Sequence, residues 1–120
     1  MNVSNYWQDR IDDTNRYIEE LGDTKKRLEQ CCVENKNKLK SIQEAINSKL
    51  ARWGLPSVMH CNPKQKMELS KLLGMQSELQ YNNIASNNCI FSLCNRMFSE
   101  SLRIGDYQNN LILSSYIERA

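Results

Sequence analysis

With 120 residues the chain has room for one hydrophobic core and not for two. Charged residues make up 25% and nearly cancel to +2, so nothing in the balance draws the protein to nucleic acid or anionic lipid. Only four Gly and two Pro leave little turn chemistry for a β-rich fold, and no apolar run reaches the length of a membrane span.

The N-terminal segment MNVSNYWQDR lacks the apolar core of a signal peptide. From Trp7, steps alternating between four and three residues reach Ile11, Thr14, Ile18, Leu21, Lys25, Leu28, Cys32, Asn35, Leu39, Ile42, Ile46, Lys49 and Trp53. Of these, only Thr14, Lys25, Asn35 and Lys49 are not apolar, whereas most intervening residues are charged or carry amides. That is a heptad seam, and it predicts one helix over residues 5–53. The acidic residues Asp12, Asp13, Glu19 and Glu20 lie among Arg10, Arg16, Lys25 and Lys26, the mixture of a solvated helix face. The stretch KNKLKSIQEAINSKLAR is read the same way, not as a nucleic-acid surface.

Gly54 ends this helix, and LPSVMHCNP forms the connection. Asn62 reads as the next N-cap, with Pro63 at the first helical position and Gln65 three residues past the cap. The second seam runs Leu69, Leu72, Gln76, Leu79, Asn83, Ser86, Ile90, Leu93, Met97, Glu100, Ile104, which predicts a helix over 63–104 ending at Gly105. Two long helices joined by a short connection make an all-α antiparallel, coiled-coil-like hairpin. Leu73, Met75, Ile84, Cys89, Phe91, Cys94, Phe98 and Leu102 fall off the second seam and call for a further surface. Residues 106–120, with Tyr107, Leu111, Leu113, Tyr116 and Ile117, are either a short third helix or a tail that folds on a partner.

Catalytic and metal chemistry find no foothold. His60 is the single histidine, and there is no Gly-rich phosphate loop, Gly-flanked serine or helical histidine pair. No Cys-x-x-Cys knuckle occurs, and Cys89 and Cys94 point about 140° apart on a helix. The cysteines read as buried, apolar and reduced, which fits a cytoplasmic protein. No enzyme activity, cofactor or metal is expected.

The segment LQYNNIASNNCIFSL places Asn82, Asn83, Ser86, Asn87 and Asn88 inside the second helix, although asparagine forms helices poorly. Asn83 and Ser86 lie on the seam, where a buried polar group fixes register at some cost in stability, and Gln76 and Asn35 are candidate partners. Leu79, then Asn83 four residues on, then either Ser86-Asn87 and Ile90 or Asn87-Asn88 followed by Ile90 and Phe91, resembles the motif of the FlgN-like flagellar chaperones. These are small cytoplasmic helical proteins that escort hook-filament junction proteins to the type III export apparatus of the flagellum. The order is similar too: a first helix with KNKLKSIQEAI near its end, a second carrying the Asn motif, then a tail. The resemblance implies that Tyr107 and Asn110 contact the export gate. It implies that the apolar C-terminal region binds the client, here Leu111, Leu113, Tyr116 and Ile117, and the off-seam Phe98 and Leu102 are candidate client residues beside them. Partners would be proteins, with no nucleic acid and no membrane insertion, and the free protein either a monomer or a homodimer. A second reading is a secretion-linked or structural coiled-coil adaptor that associates with itself.

Overall fold

A computed structural model describes residues 3–119. Among them are two long helices and no strand: α1 (Val3–Trp53) and α2 (Pro63–Arg119), joined by a connection containing one 3-10 turn at Val58–His60. This is the expected helical hairpin.

The turn is built by local chemistry. Among the described residues Gly54 alone has a positive φ, at 69°, which suits a residue without Cβ. Its N–H donates to the Ala51 carbonyl at 3.1 Å, and the Leu55 N–H to that of Leu50 at 2.9 Å. These two bonds make a Schellman cap, which uses up carbonyls the helix end leaves free. On the far side, Asn62 Oδ1 accepts from the Gln65 N–H at 2.8 Å, and Gln65 Oε1 accepts from the Asn62 N–H at 2.9 Å. That reciprocal capping box starts α2 where the sequence placed it.

The hairpin packs as two units. The turn unit, Glu29–Asn88, is centred on Ile42, Ile46, Leu50, Cys61 and Leu69. Leu69 and Ile46 are the most deeply buried, and Trp53, Leu55, Val58 and Leu72 close over them. Across this unit Gln76 Nε2 donates to Gln43 Oε1 at 2.7 Å, and Cys32 Sγ approaches Asn87 Oδ1 at 3.7 Å.

The open unit joins the described residues up to Leu28 with those from Cys89 onward. Its buried apolar side chains are Ile11 and Leu21, with Thr14 and Ser114 buried beside the seam. Thr14 Oγ1 donates to the Arg10 carbonyl at 2.7 Å, so its burial leaves the hydroxyl satisfied. Ser4 donates to the Glu118 carboxylate from its N–H and its hydroxyl, at 3.2 and 2.7 Å. Arg96 Nη1 donates to the Tyr17 hydroxyl at 3.2 Å, and a methyl added at Gly22 would touch the end of Met97. Cys32 meets Asn87 and Gln43 meets Gln76 in the turn unit, and Ser4 meets Glu118 and Tyr17 meets Arg96 in the open unit, so each unit is antiparallel.

All the seam positions read from sequence are buried or half-buried in both helices. The ends differ. α1 starts at Val3 instead of residue 5, and α2 does not stop at Gly105. Residues 106–119 are neither a separate third helix nor a loose tail; they are the last turns of α2. Gly105 has no positive φ, and the stride continues beyond it through Tyr107, Leu111 and Ser114, which are half-buried or buried. A Gly inside a helix costs about 1 kcal/mol, which the packing of three further seam residues outweighs.

Candidate protein-docking surface

Of the charged side chains of α2 within the open unit, Arg96, Glu100 and Arg103 keep to the side of α1, whereas exposed Asp106 is spaced i,i+4 from Leu102 and Arg119 shares a groove with Ile112 and Tyr116. Arg96 reaches Tyr17 on α1, and Arg103 Nη1 lies 3.3 Å from Glu100 Oε1. Arg10, Asp13, Tyr17, Glu100, Arg103 and Tyr107 line one polar groove. The other side of the same stretch bears large apolar groups in solvent. Phe91 is 68% exposed, Phe98 67% and Tyr116 67%, with Leu102 and Ile112 also exposed. Phe98 and Leu102, and likewise Ile112 and Tyr116, are spaced i,i+4, so each pair forms a ridge. From Tyr107 to Ile117 there is no charged residue. A solvated helix face ordinarily carries charge, and contiguous exposed apolar area marks a place where another protein sits.

The expected client residues divide. Phe98, Leu102, Leu113, Tyr116 and Ile117 are exposed on α2, whereas Leu111 is half-buried as a seam residue. Phe91 and Ile112 belong to the same exposed flank, and the heptad spacing from Phe98 could have included them. Tyr107 is engaged within the hairpin. Its ring centroid lies 5.8 Å from that of Trp7, the Arg10 guanidinium carbon sits 5.5 Å from the ring centre, and Arg10 Nη2 donates to its hydroxyl at 3.3 Å. That hydrogen bond is the main cause of a raised Arg10 pKa, and it reinforces a charge arginine already carries at any physiological pH. Asn110 beside it is half-buried.

The asparagine motif faces α1. In the turn unit Leu79, Asn83 and Ser86 are half-buried on the seam, and Asn87 is the partner of Cys32. Ile90 is half-buried in the open unit. The expected partners of Asn83 do not reach it: Gln76 bonds to Gln43 instead, and Asn83 Oδ1 is buried with no hydrogen-bond partner. Leu79 also borders an open groove with Ile42, Met75, Lys38 and Glu78.

The expectation of uniformly buried cysteines is corrected. All five are free thiols, but only Cys32 and Cys61 are buried, and Cys31, Cys89 and Cys94 are exposed. The exposed three lie off both seams, where helix packing does not reach them. Among the described residues no three His, Cys, Asp or Glu side chains gather as a metal site, and no helix is long and apolar enough to cross a membrane. His60 Nδ1 is 2.9 Å from Ser57 Oγ, a contact local to the 3-10 turn. Compared with protein-family models, curated proteins and solved structures, the chain matches none.

Proposed function

We propose that the protein is a cytoplasmic export chaperone that catalyses nothing and holds a helical segment of a hook-filament junction protein on the exposed flank of α2. The observation that supports this reading most is the row of large apolar side chains around Phe98 and Leu102, exposed on a helix otherwise anchored to α1, with Asp106 one turn beyond Leu102 at its edge. An amphipathic client helix would lay its apolar face on that row, reading it as anchors one helical turn apart. Tyr107 and Asn110, at the open end, would then contact the export gate. With Tyr107 tied to Trp7 and Arg10, such a contact would have to share the phenol with Arg10 or displace it.

The test is co-purification of candidate hook-filament junction proteins with the full-length chain and with Phe98→Ser/Tyr116→Ser. Point substitutions serve better than ending the chain at Gly105, since truncation would also remove the seam residues Tyr107, Leu111 and Ser114. Capture by the parent that falls at least about tenfold in the double variant, with helicity unchanged, supports the reading. Equal capture by both, or by neither, refutes it.

A further inference from the structure

The whole-chain charge of +2 conceals a separation. Residues 45–77, all in the turn unit, hold five basic side chains and one carboxylate, Glu68, a net of +4, so the rest of the chain sums to −2. The five are Lys49 and Arg52 at the end of α1 and Lys64, Lys66 and Lys71 at the start of α2. At 1.5 Å per residue, each lies within about 12 Å of the connection along its helix. Among the described residues none of them is ion-paired, and all but Lys49 are exposed. Apolar side chains stand in solvent among them, with Met59 89% and Met67 77% exposed. The connection is held in place, since Leu55 and Val58 pack on the core and Cys61 is buried, which leaves Met59 to project. The first turn of α2 carries no acidic residue, although a carboxylate there gains from the helix dipole and a lysine does not. Stability of the hairpin gives no reason for cations at this end.

The charge calls for an anionic partner, and three features say of which kind. Four of the five cations are lysines, which act as point charges, whereas recognition of single carboxylates favours the planar fork of arginine. Lys66 points about 160° away from Lys64 around α2, so the cations surround the helix start and form no single row for an acidic helix to follow. The open groove at this end, formed by Trp53, Asn62, Lys64, Gln65 and Glu68, carries the one carboxylate, which repels an acidic peptide. A nucleic-acid backbone offers phosphate to the lysines and nothing to an exposed methionine. An anionic bilayer offers a negative surface to the first and an apolar layer beneath it to the second.

We propose that the turn of the hairpin docks on the surface of an anionic lipid bilayer, with the five cations among the headgroups and Met59 entering the boundary of the acyl layer. The contact is peripheral, since no helix among the described residues is long and apolar enough to cross. Each basic residue close to such a surface contributes roughly fivefold in affinity, and the attraction fades within a Debye length of about 10 Å at 0.1 M salt. Five cations gathered at one end therefore act together, and the small net charge of the whole chain does not limit them. None of these residues belongs to the flank around Phe98, so the proposal stands whether or not the client reading does.

The experiment is co-sedimentation of the full-length chain with vesicles under reducing conditions, with circular dichroism as the check on folding. Equimolar phosphatidylserine and phosphatidylcholine is compared with phosphatidylcholine alone. Binding is expected to the first and not the second, and it should fall steeply in high salt. Lys64→Glu/Lys66→Glu should weaken it at least about 25-fold, and because carboxylates suit a helix start the loss does not come from unfolding. Lys36→Glu/Lys38→Glu makes the same change in net charge roughly 25 Å back along α1 and should leave binding within about twofold of the parent. Met59→Ser should lower it on the order of tenfold. A parent that ignores the anionic vesicles overturns the proposal. So does an equal loss in both lysine pairs, or a Met59→Ser variant that binds like the parent. Tighter binding to duplex DNA or to polyglutamate in the same buffer also overturns it and assigns the cations to a nucleic acid or an acidic protein.

Discussion

Replacing Asn83 by Leu tests the account of the inner seam most directly. Asn83 Oδ1 is buried without a partner, and a buried acceptor left unpaired costs about 1–3 kcal/mol relative to hydration. Leucine removes that acceptor and adds apolar surface at a position already turned toward α1. It also raises helix propensity by roughly 0.5 kcal/mol, an effect that has nothing to do with burial. The exposed neighbour Asn82, on the rim of the groove beside Leu79, supplies the control, because Asn82→Leu gains the propensity without relieving an orphan. Asn83→Leu should therefore exceed Asn82→Leu by roughly 2 kcal/mol. Unfolding entropy of about 2.1 cal/mol/K per residue gives this chain about 250 cal/mol/K, so the difference amounts to a Tm about 8 °C higher. Thermal melts followed by circular dichroism, at one protein concentration and under reducing conditions, measure it. Equal Tm values for the two variants, or a lower one for Asn83→Leu, would refute the claim that this oxygen is a net burden on the fold.

Gly105→Ala distinguishes a continuous α2 from a helix ending at residue 105. Gly105 has no positive φ and open space where a Cβ would stand, so alanine should stabilise by about 1 kcal/mol in urea unfolding at one protein concentration. Destabilisation would mean a left-handed cap. Gly54→Ala should go the opposite way, losing about 1–2 kcal/mol in urea unfolding although nothing lies within 4 Å, because the φ of 69° is unfavourable for any residue with a Cβ. A neutral result would show that the turn relaxes to another cap.

Much of this fold is legible in the sequence because both helices repeat a simple step. Trp7 to Trp53 and Leu69 to Ile104 follow alternate strides of three and four, and a helix with such a stripe has one way to bury it. The capping residues are equally local: Gly54, Asn62 and Gln65 act through backbone groups a few positions away. The exposed flank was half visible. Ile84, Phe91, Phe98 and Leu102 stand off the seam in sequence, but whether a third element covers them depends on where residues 106–119 go.

That question is tertiary. Taken locally, Gly105 is a stop signal worth about 1 kcal/mol, and the sequence around it allows either outcome. What decides is the first turns of α1, which offer Trp7 and Arg10 to the ring of Tyr107 and Ser4 to Glu118. Carrying α2 past Gly105 satisfies those contacts and uses residues 106–119 in the seam, so they are not available to fold over Phe98. The stride by itself determined that there are two helices and which faces meet. Only the packing of the chain ends determined that the second helix continues, and that its apolar flank is left bare.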